Sequence, residues 1–367
     1  MSAKIKYSPR KGKPNRDAFD MTGSLFAFDD EDMPARGLGE ARPDLEHDIH
    51  PSISDFVVRT ARKAASVKTD ASSDLEMDLS TLQSRESLTF ISFGSGSSGN
   101  CSYLGTGDKG ILIDAGIDPD TVRDGLRSHG IDPRSICGII LTHDHTDHVK
   151  YVYSHVRKRF DIAVYCTPKV LSGLLRRHSI SRRIKEYHKP VYKEFAFTVG
   201  GMEITPFDVS HDGTDNVGYF ITYAGINVAV ATDLGSVTPR VDYYMRQANH
   251  IVIESNYDLQ MLLNGPYPQH LKARIQAATG HLDNTAAAAY IASIVSPRLR
   301  TVLLCHLSHE NNMPELAVGA MRTALAGAGY TEVGDGSGSL DTRDMPLQLA
   351  ALPRLTPSPL YTLGKII

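Results

Sequence analysis

From residue 88 onward, short apolar runs are broken at regular intervals by glycine, proline and polar clusters, and this pattern predicts a succession of strands and helices. The runs 88–93, 101–104, 110–114 and 136–141 predict strands, with the glycine-serine stretch 94–100 as a loop between the first two. Further strands are predicted at 195–199, 202–207, 217–223, 226–232, 251–254 and 301–305, with 347–351 as a closing strand. Helices are predicted at 119–130, where Gly130 supplies the stop, and at 169–178, 238–249, 284–295 and 314–327. Strands and helices alternate, several strands pair as hairpins, and no internal repeat is visible. This order predicts an α/β domain of mixed sheets flanked by helices.

Residues 1–85 lack this periodicity. They are polar, carry blocks of both charge signs, and read as a disordered arm preceding a domain at 86–367. Within the arm, Ile53, Phe56, Val57 and Ala61 stand at roughly helical spacing, which predicts one short helix that docks on a partner protein or on the core. The acidic-hydrophobic stretch 26–34 reads as a solvated tail.

Composition adds limits. Hydrophobic residues make up 41% and charged residues 22% of 367, enough for a sizeable core. The formal net charge of -3 gives no global attraction to nucleic acid, so any such binding must come from a local patch. Cys101, Cys137, Cys166 and Cys305 form no C-x-x-C pair, and most lie in apolar runs, as buried thiols of a reducing compartment would. The basic start is not followed by an apolar run, and no stretch reaches transmembrane length. A cytoplasmic protein without membrane contact is expected.

The chemistry concentrates at strand ends. The predicted strand 136–141 runs directly into Thr142-His143-Asp144-His145-Thr146-Asp147-His148, three imidazoles and two carboxylates in seven residues. Neutral imidazole and carboxylate are ligands of zinc, manganese or iron, and an open coordination position leaves room for an activated water. The same arrangement recurs: His211 follows the strand ending at Phe207, Asp233 follows the run 228–232, and His306 follows 301–305. Each alone is an ordinary polar strand end. Together they form an ordered ligand series.

This series resembles the metallo-β-lactamase superfamily, whose fold packs two β-sheets face to face between helices with metals at one edge. The resemblance implies that Asp114 orients the ligand loop. It implies that His143, His145 and His211 hold one divalent metal ion, zinc or manganese. Asp147, His148 and His306 would hold a second, with Asp233 bridging. A carboxylate at the bridging position points to a dinuclear hydrolase rather than a true β-lactamase. A narrower likeness runs from Leu88 to Gly364. Residues 95–100, 254–256, 265–268, 280–282 and 306–312 resemble the YycJ/WalJ group, which is linked to 5′-to-3′ exonuclease activity. Asp144 and Tyr257 depart from that group, which usually has Glu and often His there.

The expected reaction is hydrolysis of a phosphodiester in single-stranded or 5′-ended DNA. Asp147 would accept the proton of the attacking water, and His281 would contact the phosphate or protonate the leaving oxygen. Ser98, Asn100 and Asn256 are expected substrate contacts. So are Arg176, Arg177, Arg182 and Arg183, in a basic stretch that continues through Lys185 and Lys189 with Tyr187 and Tyr192 interleaved. The span between Asp233 and His306 is too short for the extra domain of β-CASP nucleases. A glyoxalase-type thioesterase or a small-molecule phosphodiesterase is the alternative enzyme class. A non-enzymatic metal-binding regulator fits the intact ligand set least.

Overall fold

The apolar runs become strands because each can bury both faces, against a second sheet on one side and helices on the other. The computed structural model describes residues 87–158, 162–336, 340–341 and 347–364. The arm 1–85, with its expected helix and acidic stretch, lies outside the described residues.

One sheet contains β1 (Ser87–Gly96), β2 (Gly99–Gly105), β3 (Gly110–Ile113), β4 (Ile136–Ile140), β5 (Ala163–Cys166) and β6 (His188–Pro190). It is extended at β1 by β16 (Tyr361–Gly364) and β14 (Leu340–Asp341), in the order β14-β16-β1-β2-β3-β4-β5-β6. The other contains β7 (Phe197–Val199), β8 (Met202–Asp208), β9 (Val217–Tyr223), β10 (Ile226–Ala231), β11 (His250–Glu254), β12 (Thr301–Cys305), β13 (Gly334–Asp335) and β15 (Gln348–Ala351). Its order is β13-β15-β12-β11-β10-β9-β8-β7.

Three apolar layers follow. Between the sheets, Phe90, Leu104 and Ile113 meet Ile204, Tyr219, Val228 and Leu303. Behind the first sheet pack α1 (Pro119–Ser128), α2 (Thr146–Val149), α3 (Val152–Lys158) and α4 (Pro168–Arg176) through Val122, Val149, Val156 and Leu174. Behind the second pack α5 (Pro239–Met245), α8 (Asn284–Ile294) and α9 (Pro314–Gly327) through Val241, Ile291 and Met321. The expected sandwich of two mixed sheets between helices is the observed architecture.

Local departures have physical causes. The stretch 94–100 is a hairpin rather than a loop, with Ser97 and Ser98 alone at its tip. Gly99 permits this tightness: a Cβ there would lie 2.6 Å from Ile117 Cδ1 and 2.8 Å from the Gly116 carbonyl oxygen. The stretch 259–276 holds two unexpected helices, α6 (Leu259–Asn264) and α7 (Gln269–Gln276). Gly265, Pro266 and Pro268 divide them, so neither is long enough to show a clear period. Strand 347–351 does not close the fold. β15 runs parallel beside β12, whereas β16 pairs antiparallel with β1. The cysteines are free thiols, and Cys101, Cys166 and Cys305 are buried. No helix of the described residues is long and apolar enough to cross a membrane.

His250 opens β11 fully buried, with Nδ1 3.0 Å from Thr301 Oγ1 and Nε2 donating to the Gly364 carbonyl at 3.1 Å. Burial pushes its imidazole down to about 4 from an ordinary 6.5. The unfolded chain therefore takes up the proton first. Its stabilising contribution is complete above pH 6.5 and is lost as pH falls from 6.5 to 4, by roughly 3 kcal/mol in all. A His250→Gln variant should show a flatter dependence of Tm on pH across that window. An unchanged slope would refute the assignment.

Candidate metal centre

β8, β10, β11 and β12 all run in one direction, because β9 lies antiparallel between β8 and β10 while β11 and β12 follow parallel. Their ends deliver His211, Asp233, Glu254 and His306 to a common edge, and β3 and β4 of the facing sheet deliver Asp114 and residues 142–148. Asp114 and His306 both adopt left-handed backbone, φ 62° and 53°, a strained conformation characteristic of functional sites. Gly116 lets the β3 loop cross the ligand segment: a Cβ there would lie 1.6 Å from the Asp147 carbonyl oxygen.

The expected ligands converge. Donor atoms of His143, His145 and His211 lie within 4.8 Å of one another, as do those of Asp147, His148 and His306. Asp233 stands between the groups. Its Oδ2 is 3.1 Å from His148 Nε2, and its Oδ1 is 3.2 Å from His306 Nδ1 and 3.6 Å from His211 Nε2.

Outer partners hold one nitrogen of several rings and leave the other facing inward. His148 Nδ1 is 2.7 Å from Asp114 Oδ2, and His211 Nδ1 donates to the Gly280 carbonyl at 3.0 Å. His306 Nδ1 is 2.7 Å from Glu254 Oε1. Asp114 also accepts the Thr142 N–H at 2.8 Å and so ties the end of β3 to the start of the segment 142–148. Among the described residues, the buried Nε2 atoms of His143 and His306 and Oδ2 of Asp233 make no hydrogen bond of proper geometry, even where a charged neighbour is close. Orphaned nitrogen and oxygen lone pairs facing one another are what a divalent cation would satisfy, so the residues fit such an ion.

Electrostatics agree. Burial opposes ionisation of Asp147, but His148 and His306 hold its carboxyl well below the usual range. Burial likewise opposes protonation of His148, yet Asp233, Asp114 and Asp147 outweigh it and push the imidazole up. His306 is pushed up to about 10, against burial, by Asp233, Asp147 and Glu254. His143 goes the other way, lowered by burial and by the charge of His148. The apoprotein thus balances anionic carboxylates with protons on particular rings, positive charge that a bound cation would replace.

Glu254 was not among the expected site residues. Fully buried, it is within 2.8 Å of His281 Nδ1 and accepts the Leu234 and Leu282 N–H groups at 2.8 and 3.1 Å. Asp212 was also missed. It lies 3.4 Å from His145 Nε2 and accepts from Arg274 Nε at 2.7 Å. Glu254 carries the same signal as the ligands, a carboxylate ending an apolar strand; Asp212 adjoins His211 in sequence.

A cavity of about 280 Å³ opens over the cluster, lined among others by Asp147, Asp233, Asn256, His281, His306 and Arg274. A larger one of about 580 Å³, beside α1 and α3, contains no residue of the cluster. Ser97 lines the site cavity, and Ser98 beside it does not. The Asn100 side chain is buried and donates to the Gly96 carbonyl at 3.0 Å and to Asp147 Oδ2 at 3.1 Å, so it braces a cluster residue. Asn256 donates to the His306 carbonyl at 2.7 Å.

The basic stretch is dispersed. Arg176 donates to Thr214 Oγ1 at 3.0 Å and Arg177 to Thr146 Oγ1 at 2.9 Å, bracing the loops around the cluster. Arg182 and Arg183 lie in the turn Arg182–Glu186, with Arg183 3.3 Å from Glu186. None of these four arginines lines the cavity.

Comparison with known proteins places this geometry in context. Residues 109–306 match the family described as Beta-lactamase superfamily domain. The exodeoxyribonuclease YycJ of Bacillus anthracis is 33% identical over 249 residues, covering 66% of this chain and 91% of that protein. The exodeoxyribonuclease WalJ of Streptococcus pneumoniae serotype 2 is 32% identical over 235 residues, covering 64% and 87%. The crystal structure of the metallo-beta-lactamase fold protein YhfI from Bacillus subtilis superposes with a TM-score of 0.53 at 13% identity, over 76% of this chain and 99% of that one.

Proposed function

The chain belongs to the beta-lactamase superfamily, and from that membership and its site we propose that it is a metal-dependent nuclease that hydrolyses single-stranded or 5′-ended DNA by a 5′-to-3′ exonuclease reaction. The observation that carries this reading is Asp233, set between two ligand groups at a cavity open to solvent. Two relatives named exodeoxyribonuclease support it.

His143, His145 and His211 would hold one divalent ion, Asp147, His148 and His306 a second, and Asp233 both. Zinc and manganese both suit this donor set. Ions bound there would supply Lewis-acid chemistry, a more acidic water and neutralised phosphate charge. Asp147, ionised and 22% exposed, takes the proton of the attacking water. His281 lines the cavity with Nδ1 against Glu254. Burial opposes its protonation, but Glu254 raises its affinity for a proton, and Nε2 would donate to the leaving oxygen. Arg274, whose charge is shared with Asp212, faces the same space as a phosphate contact.

The test is digestion of single-stranded DNA and RNA bearing a 5′ phosphate and a 3′ label, with manganese or zinc. Progressive shortening of DNA is expected. Absence of cleavage with every metal would transfer the assignment to thioester or small phosphodiester hydrolysis. Removing residues 1–85, proposed as an arm separate from the catalytic domain, should leave turnover on short substrates intact; loss of turnover would make the arm part of the site.

Glu254→Gln keeps the side chain's shape but replaces one acceptor oxygen with a donor among groups that themselves donate. Metal affinity should fall about 10- to 100-fold, as for other outer partners of metal-bound histidine. Titration of the apoprotein with zinc reads this, and wild-type affinity would remove Glu254 from the role.

A further inference from the structure

Among the described residues, the exposed large aromatic side chains are Tyr192, Phe195 and Tyr243, at 55%, 71% and 53% exposure. Each is linked to Glu194: Tyr192 and Phe195 flank it in one turn, and Tyr243 lies beside the Arg240 that pairs with it. Tyr192 and Phe195 end a tight turn closed by the Phe195 N–H donating to the Tyr192 carbonyl at 3.1 Å. Glu194, inside the turn, adopts φ 70°, a left-handed conformation unfavourable for a residue with a Cβ. It is held there by its N–H, which donates to the Pro206 carbonyl at 2.7 Å, and by its carboxylate. That carboxylate accepts from the Tyr244 hydroxyl at 2.6 Å and from the Arg240 guanidinium, which lies 5.3 Å from the Tyr243 ring centroid.

The turn is also tied to the metal centre. Lys193 Nζ is 2.5 Å from Asp208 and 2.7 Å from Asp215, the two carboxylates that bracket the His211 segment. Asp215 in turn accepts from Thr167 Oγ1 at 2.7 Å. A strained turn, braced on several sides, that presents aromatic rings to solvent does nothing for core packing. Beside it, Lys169 and Lys189 are exposed and make no ion pair among the described residues. Lys169 lies near enough to Asp215 to stabilise its charge.

We propose that the Tyr192–Phe195 turn, with Tyr243, is a stacking platform for the single-stranded DNA that extends from the metal centre past the His211 segment. Bases stack on the rings, and Lys169 and Lys189 meet backbone phosphates. The proposal rests on the nuclease reading above. Exposed rings interleaved with unpaired cations match an unpaired nucleic-acid strand, because every base offers a π-face and every linkage a charge. The platform, rather than the arginines of α4 and the turn after it, is then the part of the basic stretch that binds substrate.

The experiment compares wild type with Tyr192→Ala, Phe195→Ala and Phe195→Trp on a long single-stranded oligonucleotide and on bis(p-nitrophenyl) phosphate. The alanine variants should raise KM for the oligonucleotide about tenfold, the scale of one lost base stack, with kcat and hydrolysis of the small diester unchanged. Phe195→Trp should keep the wild-type KM. The chain contains no tryptophan, so emission from this variant reports the position directly, and oligothymidine should quench it. If wild type degrades the oligonucleotide and the alanine variants match its KM, the platform is overturned while the nuclease reading stands. Altered self-association of the alanine variants in sedimentation, with KM unchanged, would overturn it in favour of a contact between copies of this chain. A wild-type protein that cleaves only the small diester removes the nuclease reading and the platform together.

Discussion

Asp233→Ala is expected to lower phosphodiester turnover by about a thousandfold or more, with bound metal falling from two ions per chain to one or none. Asp233 is within 3.6 Å of His148, His211 and His306, and among the described residues it is the carboxylate positioned to join the two groups. A pair of ions contributes several kcal/mol of transition-state stabilisation, and each ~1.4 kcal/mol is a factor of ten in rate. The alanine variant also leaves His148 and His306 without the buried charge that balances them, and breaking such a pair costs roughly 3–5 kcal/mol. Asp233→Asn, which preserves volume, separates the two effects. It should stay folded at ordinary temperature and still lose metal and rate. Metal content by elemental analysis, read beside turnover, decides the matter: two ions per chain with wild-type turnover in either variant would refute the bridging role.

Asp147→Ala is the second large effect, and it differs in kind. Asp147 opens the cavity from the first turn of α2, with Oδ2 3.4 Å from His148 Nε2 and 3.5 Å from His306 Nε2. Its side chain is partly exposed, so truncation leaves no buried void. Its carbonyl contact with Gly116 belongs to the backbone and survives substitution. Hydrolysis should fall at least a thousandfold, because the proposed ligand and proton acceptor is removed, while Tm falls less than in Asp233→Ala, since the lost charge is the more exposed of the two. His148→Ala should abolish hydrolysis too, but with a larger loss of stability, since it leaves Asp114 buried without its 2.7 Å partner. Full activity in the Asp147 variant would refute the dinuclear assignment.

The strand-end reading was legible because ligand delivery in this fold is a local matter. An apolar run followed by His or Asp is visible in a window of a few residues, and His143 to His148, His211, Asp233 and His306 all satisfy it. The same rule applied to 251–254 would have found Glu254, whose glutamate ends an apolar strand as Asp233 does. The basic stretch behaves in the opposite way. Its charges are contiguous in sequence, yet the end of α4 and the turn after it point Arg176, Arg177 and Arg183 toward Thr214, Thr146 and Glu186.

By itself the sequence determined the order of elements, the sandwich class and the candidate ligands, since periodicity and strand-end chemistry are properties of neighbouring residues. Only the tertiary structure decided what each ligand leans on. Glu254 reaches His281 and His306 from 27 and 52 residues away, Asn100 reaches Asp147 across 47, and Lys193 spans Asp208 and Asp215 to fix an aromatic turn beside the site. Those partners are chosen by sheet register and by the need to satisfy every buried polar group, and neither constraint exists until the two sheets have closed on one another.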